Sequence, residues 1–137
     1  MPWNHYQTLI DKRPAQVLID ERFRSGAPIS QLPRLAWFAV YCRQESGGGF
    51  WHPDEAATLD AIERDLIRFC EQYGNGWAVY VMRLDTHGIR EYYFYCGASA
   101  ALGQVPAHMR AAHPDYRIEY DEITDTDWNR YKTYLKK

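Results

Sequence analysis

Histidine and cysteine are the residue types in this sequence whose side chains could hold a metal ion or act as nucleophiles. The five histidines include no pair four residues apart, which is the spacing that puts two imidazoles on one face of a helix. The three cysteines include no Cys-x-x-Cys pair. The spacing of these residues therefore predicts no metal site, and no other motif indicates a cofactor.

The cysteines Cys42, Cys70 and Cys96 each lie within an apolar stretch. Burial in apolar surroundings raises the pKa of a thiol, so that it stays protonated and is a poor nucleophile. An odd number of cysteines also argues against a disulfide framework. We therefore predict three free structural thiols and no catalytic cysteine.

A run of glycines, Gly47 to Gly49, lies just before the predicted start of a helix, where free backbone N–H groups can bind phosphate. The lysine and the hydroxyl residue of a P-loop are missing. Pro53 removes one N–H donor, and Asp54 and Glu55 would repel an anion. This composition favours a flexible loop.

Carboxylate pairs such as Glu63 with Asp65 are the remaining candidates for acid and base chemistry. They lie on the polar side of a predicted helix, which is typical of a solvated surface. We therefore predict no catalytic residue and a protein that is not an enzyme. The enzymatic alternative requires a polar pocket around Trp51, His52 and the glycine loop.

The last third of the sequence is acidic. Between residues 115 and 127 one arginine, Arg117, accompanies six carboxylates: Asp115, Glu119, Asp121, Glu122, Asp125 and Asp127. Such a segment is typical of a solvated edge, but it also suits a basic partner, because complementary charge speeds encounter and nearby aromatic residues supply anchors. The residues that we predict to bind a partner are Glu119, Asp121, Glu122, Asp125, Trp51 and His52.

Four consecutive aromatic residues, Tyr92 to Tyr95, must present rings on both faces of a strand. Exposed rings on a sheet stack RNA bases in RRM modules, but the RNP1 motif of those modules has a basic residue and a glycine, whereas Glu91 and Tyr92 precede Tyr93 here. The net charge of -2 also disfavours binding to polyanions. We predict no nucleic-acid partner and keep an RNA-binding or small-ligand module as an alternative.

The elements that must position these residues follow from hydrophobic periodicity. Runs of β-branched and aromatic residues predict five strands, which begin near Ala15, Arg34, Trp77, Ile89 and Tyr116. Apolar residues at three- and four-residue steps predict one helix that ends at Gly74. The alanine-rich residues 97–114 predict a second helix that Pro106 divides or restarts, and the stripe from Trp128 to Leu135 predicts a short third helix.

From Arg34 onward the order is strand, helix, strand, strand, helix, strand, which is the split βαβ pattern of ferredoxin-like folds. We predict an α+β protein with a ferredoxin-like βαββαβ antiparallel sheet, an added N-terminal strand and a C-terminal helix. Both main helices then cover one face of the sheet. The other face is open unless Trp3 and Tyr6, or Trp128 and Tyr131, cover it.

The size and composition of the chain predict one globular domain over residues 1–137. Its 137 residues are 46% hydrophobic, which allows a core without metal or disulfide support. The start has no signal-peptide pattern, and no apolar run approaches the ~20 residues of a membrane span. We predict a cytoplasmic protein with no membrane partner, and free strand edges allow a monomer or a homodimer.

Five short motifs carry a family resemblance over nearly the whole chain. They are W-x-x-Y followed by PAQVLID, G-G-F before an acidic helix start, YYFYC, H-P-x-Y-x-I, and D-x-D-W-x-x-Y. Together they resemble the bacterial family catalogued as domain of unknown function 695. More distantly, the helix with the YYFYC hairpin is similar to the protein regulators that bind and inhibit ribonuclease E, which implies a small acidic protein without enzymatic activity.

The absence of catalytic motifs, the acidic segment and this resemblance together predict a regulator or inhibitor that binds another protein. An alternative is an immunity protein that neutralises a cognate bacterial toxin. A nuclease is a suitable partner in either case, because its nucleic-acid groove is basic.

Overall fold

The computed structural model describes residues 3–135 as an α+β fold with a six-stranded antiparallel sheet and three α-helices. Residues 1, 2, 136 and 137 of the predicted domain lie outside the described residues. The strands are β1 (Trp3–Ile10), β2 (Arg13–Asp20), β3 (Arg34–Tyr41), β4 (Ala78–Thr86), β5 (Ile89–Cys96) and β6 (Arg117–Thr124). The helices are α1 (Ala56–Gly74), α2 (Val105–Ala112) and α3 (Asn129–Tyr134). None of the helices in residues 3–135 is long and apolar enough to cross a membrane.

The strands lie side by side in the order β1-β2-β4-β5-β3-β6, and each neighbouring pair is antiparallel. The elements from β3 to β6 follow the predicted order along the chain. The sheet as a whole is not the simple four-stranded ferredoxin-like pattern, because β1 and β2 extend it beyond β4. The prediction of one added strand is thus corrected to a two-stranded hairpin.

The turn of this hairpin explains why the sequence did not reveal β1. Asp11 and Lys12 connect the two strands with φ of 51° and 67°. Positive φ at both central residues is the conformation of a type I′ turn, for which Asn-Gly and Asp-Gly are the usual sequence signals. An Asp-Lys pair gives no such signal, so only the pairing with β2 shows that residues 3–10 form a strand.

Helix α1 begins and ends close to the predicted positions. A 3-10 turn at Pro53–Glu55 leads into the helix, whose apolar stripe of Leu59, Ile62, Leu66 and Cys70 is buried. The chain leaves the helix at Asn75, which has a φ of 52°. Gly74 is required before it, since a Cβ there would lie 2.7 Å from the Cβ of Ala78. The end predicted at Gly74 is confirmed.

Helices α1 and α2 pack on one face of the sheet, which we call the helix face, and the opposite one is the far face. The aromatic run of β5 divides between them. Tyr92 and Phe94 point to the helix face, where they join Phe38, and Tyr93 and Tyr95 point to the far face. All four side chains of the run are buried. The second aromatic row is therefore core.

Helix α3 and the residue before it supply the cover of the far face. Trp128 is 0% exposed and stacks on Tyr95 with 4.0 Å between ring centroids. Tyr131 is also buried in this cluster, so the second of the two predicted covers is correct. Tyr6 contributes at the border, where its hydroxyl donates to the Tyr134 carbonyl. Trp3 instead lies on the helix face, 5.0 Å from the ring of Tyr80.

The three cysteines are free, as predicted. Cys70 and Cys96 are buried and Cys42 is half-buried. Burial raises the pKa of Cys42 and of Cys96 to about 11, so neither thiol is activated as a nucleophile.

Candidate functional site

The six residues predicted to bind a partner do not form one surface. Glu119 and Asp121 alternate with Ile118 and Tyr120 along β6, and they project from the far face. Glu122 lies on the helix face instead, where it pairs with Arg34 at 2.5 Å. Adjacent residues of a strand point to opposite faces, so the acidic segment is split by its own pleat.

Asp125 is buried and has a structural role, so it is removed from the predicted surface. Its carboxylate accepts the Tyr95 hydroxyl at 2.6 Å and the backbone N–H groups of Asn129 and Arg130 at 2.9 and 3.0 Å. Burial alone would raise the pKa of Asp125, but these hydrogen bonds outweigh it and the pKa is lowered. Asp125 therefore anchors α3 to the sheet.

Trp51 and His52 lie away from β6. Trp51 is half-buried, and the guanidinium carbon of Arg90 lies 4.5 Å from the centroid of its ring. His52 precedes the 3-10 turn before α1, and its Nδ1 accepts the Asp54 N–H at 3.0 Å. Both residues hold the segment that leads into α1, and neither shares a surface with Glu119 or Asp121.

Glu119 and Asp121 instead lie together with residues that were not among the six predicted ones. A depression of about 310 Å³ on the far face is lined by Trp37, Ala39, Tyr41, Glu91, Glu119, Tyr120 and Asp121. We call the five residues Trp37, Tyr41, Glu91, Glu119 and Asp121 the acidic face. It combines three carboxylates with two large aromatic rings on β3, β5 and β6.

The pairing of the strands brings these residues together. Trp37 lies opposite Tyr93 of β5 on one side and Asp121 of β6 on the other. Glu91 and Glu119 both lie opposite Ala39. The small side chain of Ala39 leaves space between the larger neighbouring side chains, and this space is the depression. The signal that could have identified the missing members is alternation in β3, because Trp37 and Tyr41 share the parity of residues on the far face.

Hydrogen bonds fix the acidic end of this surface. Glu119 accepts the hydroxyl of Tyr41 at 2.6 Å and is 3.2 Å from Nη2 of Arg117. These two contacts lower the pKa of Glu119 and keep it ionised. The Arg117 guanidinium also lies over the Tyr41 ring at 4.2 Å, so one cation stacks at the outer border of the acidic face.

The end of the acidic face at Glu91 is less exposed to solvent than the end at Glu119. Burial raises the pKa of Glu91, and interactions with Tyr93 and Arg130 offset part of that rise. The guanidinium of Arg130 lies 5.6 Å from the ring centroids of both Trp37 and Tyr93. Arg130 therefore marks the line where the cover by α3 ends and the depression begins.

Strand β6 adds a free edge to this surface, because it is the outermost strand on its side of the sheet. It carries one of the few large exposed apolar side chains among the described residues, Ile123, which is 40% exposed. An edge strand offers unpaired backbone N–H and C=O groups to another chain. Glu119 and Asp121 restrict which chains can approach it.

The glycine loop forms a second polar depression, of about 500 Å³, which contains Cys42, Ser46 and His87. Both ring nitrogens of His87 lie 3.0 Å from the Ser46 hydroxyl, so the contact is to the edge of the ring between them. The buried carboxylate of Glu55 accepts the N–H groups of Arg43 and Gln44 at 2.8 and 3.0 Å and holds the start of the loop. In residues 3–135 no group of three or more His, Cys, Asp or Glu side chains is placed to hold a metal ion.

Comparisons with known proteins give a family without an assigned role. A family model described as a family of unknown function, DUF695, matches residues 2–136. No curated protein and no solved structure matches the chain.

Proposed function

Because the chain belongs to the DUF695 family of unknown function, we propose its function from the geometry of the acidic face. The protein is a module without enzymatic activity that binds a basic protein as a regulator or inhibitor. The single observation that carries this proposal is the part of the far face that α3 leaves uncovered, where Trp37 and Tyr41 lie among Glu91, Glu119 and Asp121.

The carboxylates and the aromatic rings of the acidic face would contribute to binding in two different ways. The carboxylates attract a basic partner over a distance and align it, which raises the rate of association. The rings of Trp37 and Tyr41 then supply apolar area at a low cost in side-chain entropy, as tryptophan and tyrosine do at the centres of protein interfaces. Both rings are half-buried, so they are already held in place before a partner arrives.

The fold supports the same proposal. Within the sheet we propose that β4-β5-β3-β6 with α1 and α2 form a ferredoxin-like unit, to which the β1–β2 hairpin and α3 are additions. We propose, from the resemblance of their sequence motifs, that α1 and the YYFYC hairpin are distantly similar to the regulators that inhibit ribonuclease E, which would be in keeping with an inhibitory role. A cytoplasmic nuclease or toxin with a basic groove is the class of partner whose charge suits Glu119 and Asp121.

A pair of charge-reversal variants tests this proposal. E119K/D121K reverses two charges of the acidic face, and D60K/E71K reverses two exposed carboxylates of α1 and makes the same change in net charge. Wild-type protein and both variants are immobilised and exposed to an extract of the source organism. We expect a partner that wild type and D60K/E71K retain and that E119K/D121K loses.

The partner is then purified and its affinity is measured as a function of salt. Binding should weaken as salt rises above about 0.1 M, where exposed charges are screened over about 10 Å. The same variants are compared by circular dichroism, so that loss of folding is distinguished from loss of binding. A partner that E119K/D121K binds as tightly as wild type would count against the acidic face.

A further inference from the structure

A third recess lies on the helix face of the sheet, between α1 and the β1–β2 hairpin. It has a volume of about 310 Å³ and is lined by Trp3, Leu18, Glu63, Ile67, Tyr80 and Arg83. We call it the Trp3 cleft. Its walls are apolar and aromatic, and the rings of Trp3 and Tyr80 meet at 51° with 5.0 Å between their centroids. It exists because the hairpin extends the sheet beyond the reach of α1.

The polar side of the cleft is the outer end of a buried ion network. Arg83 pairs with Glu63 at 2.9 Å and with Asp85 at 3.0 Å, and Arg90 pairs with the other oxygen of Asp85 at 2.9 Å. The side chains of Asp85 and Arg90 are only 1% and 3% exposed. Two guanidinium groups thus share two carboxylates, and Glu63 is the member nearest to solvent, at 23% exposure.

Two polar side-chain atoms in or beside this network have no hydrogen-bond partner among residues 3–135. They are Nη1 of Arg90 and the hydroxyl of Tyr92, and both atoms are buried. Nη1 of Arg90 lies 3.8 Å from the Glu63 carboxylate, beyond hydrogen-bond distance. Burial raises the pKa of Tyr92, so its hydroxyl keeps its proton. A buried donor without an acceptor costs about 1–3 kcal/mol, so Nη1 of Arg90, which lies beside the Glu63 carboxylate, favours an added acceptor group.

We propose that the Trp3 cleft binds a small organic acid, with its carboxylate in the place of Glu63 and its apolar body against Trp3 and Tyr80. Glu63 lies on the surface of α1 and can turn to solvent. Asp85 alone would then leave the two arginines with one unbalanced positive charge, which a ligand carboxylate neutralises. One of its oxygens can accept from Arg83, as Glu63 does now, and the vacated position also lies beside Nη1 of Arg90, which is 3.8 Å from the Glu63 oxygen behind the lining of the cleft.

The apolar lining decides the rest of the ligand's chemistry. Leu18 lies beside Arg83 across β2 and β4, and Ile67 lies one turn after Glu63 on α1, so apolar side chains flank both charged ones. A flat or short hydrophobic body is therefore accommodated better than a second polar group. The site is independent of the acidic face, which lies on the other face of the sheet. Binding of an organic acid would add a small-ligand site to the macromolecular recognition proposed for the acidic face.

The test uses the indole N–H resonance of Trp3 in the intact protein, identified by its loss in W3F. Benzoate, cinnamate, 2-naphthoate and octanoate are each titrated beside their primary amides. We expect at least one carboxylate to shift the Trp3 resonance with a dissociation constant below about 1 mM, and at least tenfold more tightly than its amide. Failure of all four acids, or equal affinity for acid and amide, overturns the proposal.

Two variants separate this arrangement from other modes of binding. E63Q removes the charge that competes with the ligand, so it should bind the acid several-fold more tightly, whereas the exposed control E71Q should leave binding unchanged. I67W fills the cleft without a change in charge and should abolish binding, which provides a test even if E63Q does not fold. Weaker binding of the acid by E63Q would show that the ligand does not replace the Glu63 carboxylate, and undiminished binding by I67W would place the acid elsewhere. Either result overturns the proposal.

Discussion

The acidic face and the Trp3 cleft are two places where the helices do not cover the sheet. They differ in the exposure of their charged side chains. On the far face the cover by α3 ends at Arg130, and Glu119 and Asp121 of the acidic face remain exposed. In the Trp3 cleft α1 stops short of the hairpin, and the charges of Asp85 and Arg90 are buried. Exposed carboxylates act at a distance and suit a large partner, whereas buried paired charges act only at contact and suit a small one.

The largest effect expected from this comparison is on folding stability. D85A removes the carboxylate that Arg83 and Arg90 share, and the buried Arg90 guanidinium loses its closest partner. We expect the free energy of unfolding to fall by about 3–5 kcal/mol, measured by urea denaturation. D121A on the acidic face is the matched control and should change it by less than about 0.5 kcal/mol. Similar values for both variants would show that the two regions do not differ in burial.

A smaller effect defines where the acidic face ends. D125A removes the acceptor of the Tyr95 hydroxyl and of two N–H groups at the start of α3, and we expect a loss of about 2 kcal/mol. Asp121 lies only four residues earlier and again serves as the control. Equal stability of D125A and wild type would return Asp125 to the candidate surface, and the check is thermal unfolding at neutral pH.

The smallest effect concerns Glu91, which is the least exposed of the three carboxylates of the acidic face. Its pKa is raised in the folded protein by burial. The carboxyl group of Glu91 therefore binds a proton more readily in the folded state than in the unfolded state. The stability that protonation of Glu91 contributes is complete below about pH 4.3, the ordinary glutamate pKa, and is lost as the pH rises through the raised pKa. E91Q should be slightly more stable than wild type at pH 7 and equal to it at low pH. A loss of stability in E91Q at pH 7 would contradict this sign.

Much of the fold was predictable because local patterns and tertiary packing agree. The stripe of α1, the hairpin of β4 and β5, and the alternation of β6 each specify an element from a short stretch of sequence. Strand β1 was not predictable, since its turn lacks the usual residues and its side chains carry no clear alternation. It is defined by pairing with β2, and this contact cannot be inferred from local sequence.

The candidate site was predictable only in part, for a geometric reason. Glu119 and Asp121 were found because acidic residues are dense along β6. Glu122 and Asp125 were grouped with them by proximity in sequence, although pleating and the chain reversal into α3 send them elsewhere. Trp37 and Glu91 were missed, because they reach the same surface from strands that are distant in sequence.

The sequence by itself determined the secondary structure of most segments, the free thiols and the presence of an aromatic strand. These follow from periodicity and residue type, which act over one or two turns of chain. Only the tertiary structure decided which aromatic rings are core, which carboxylates remain exposed, and which charges are buried as a network. Burial depends on what packs against a residue, and for Tyr95, Asp121 and Arg90 those neighbours come from other elements of the fold.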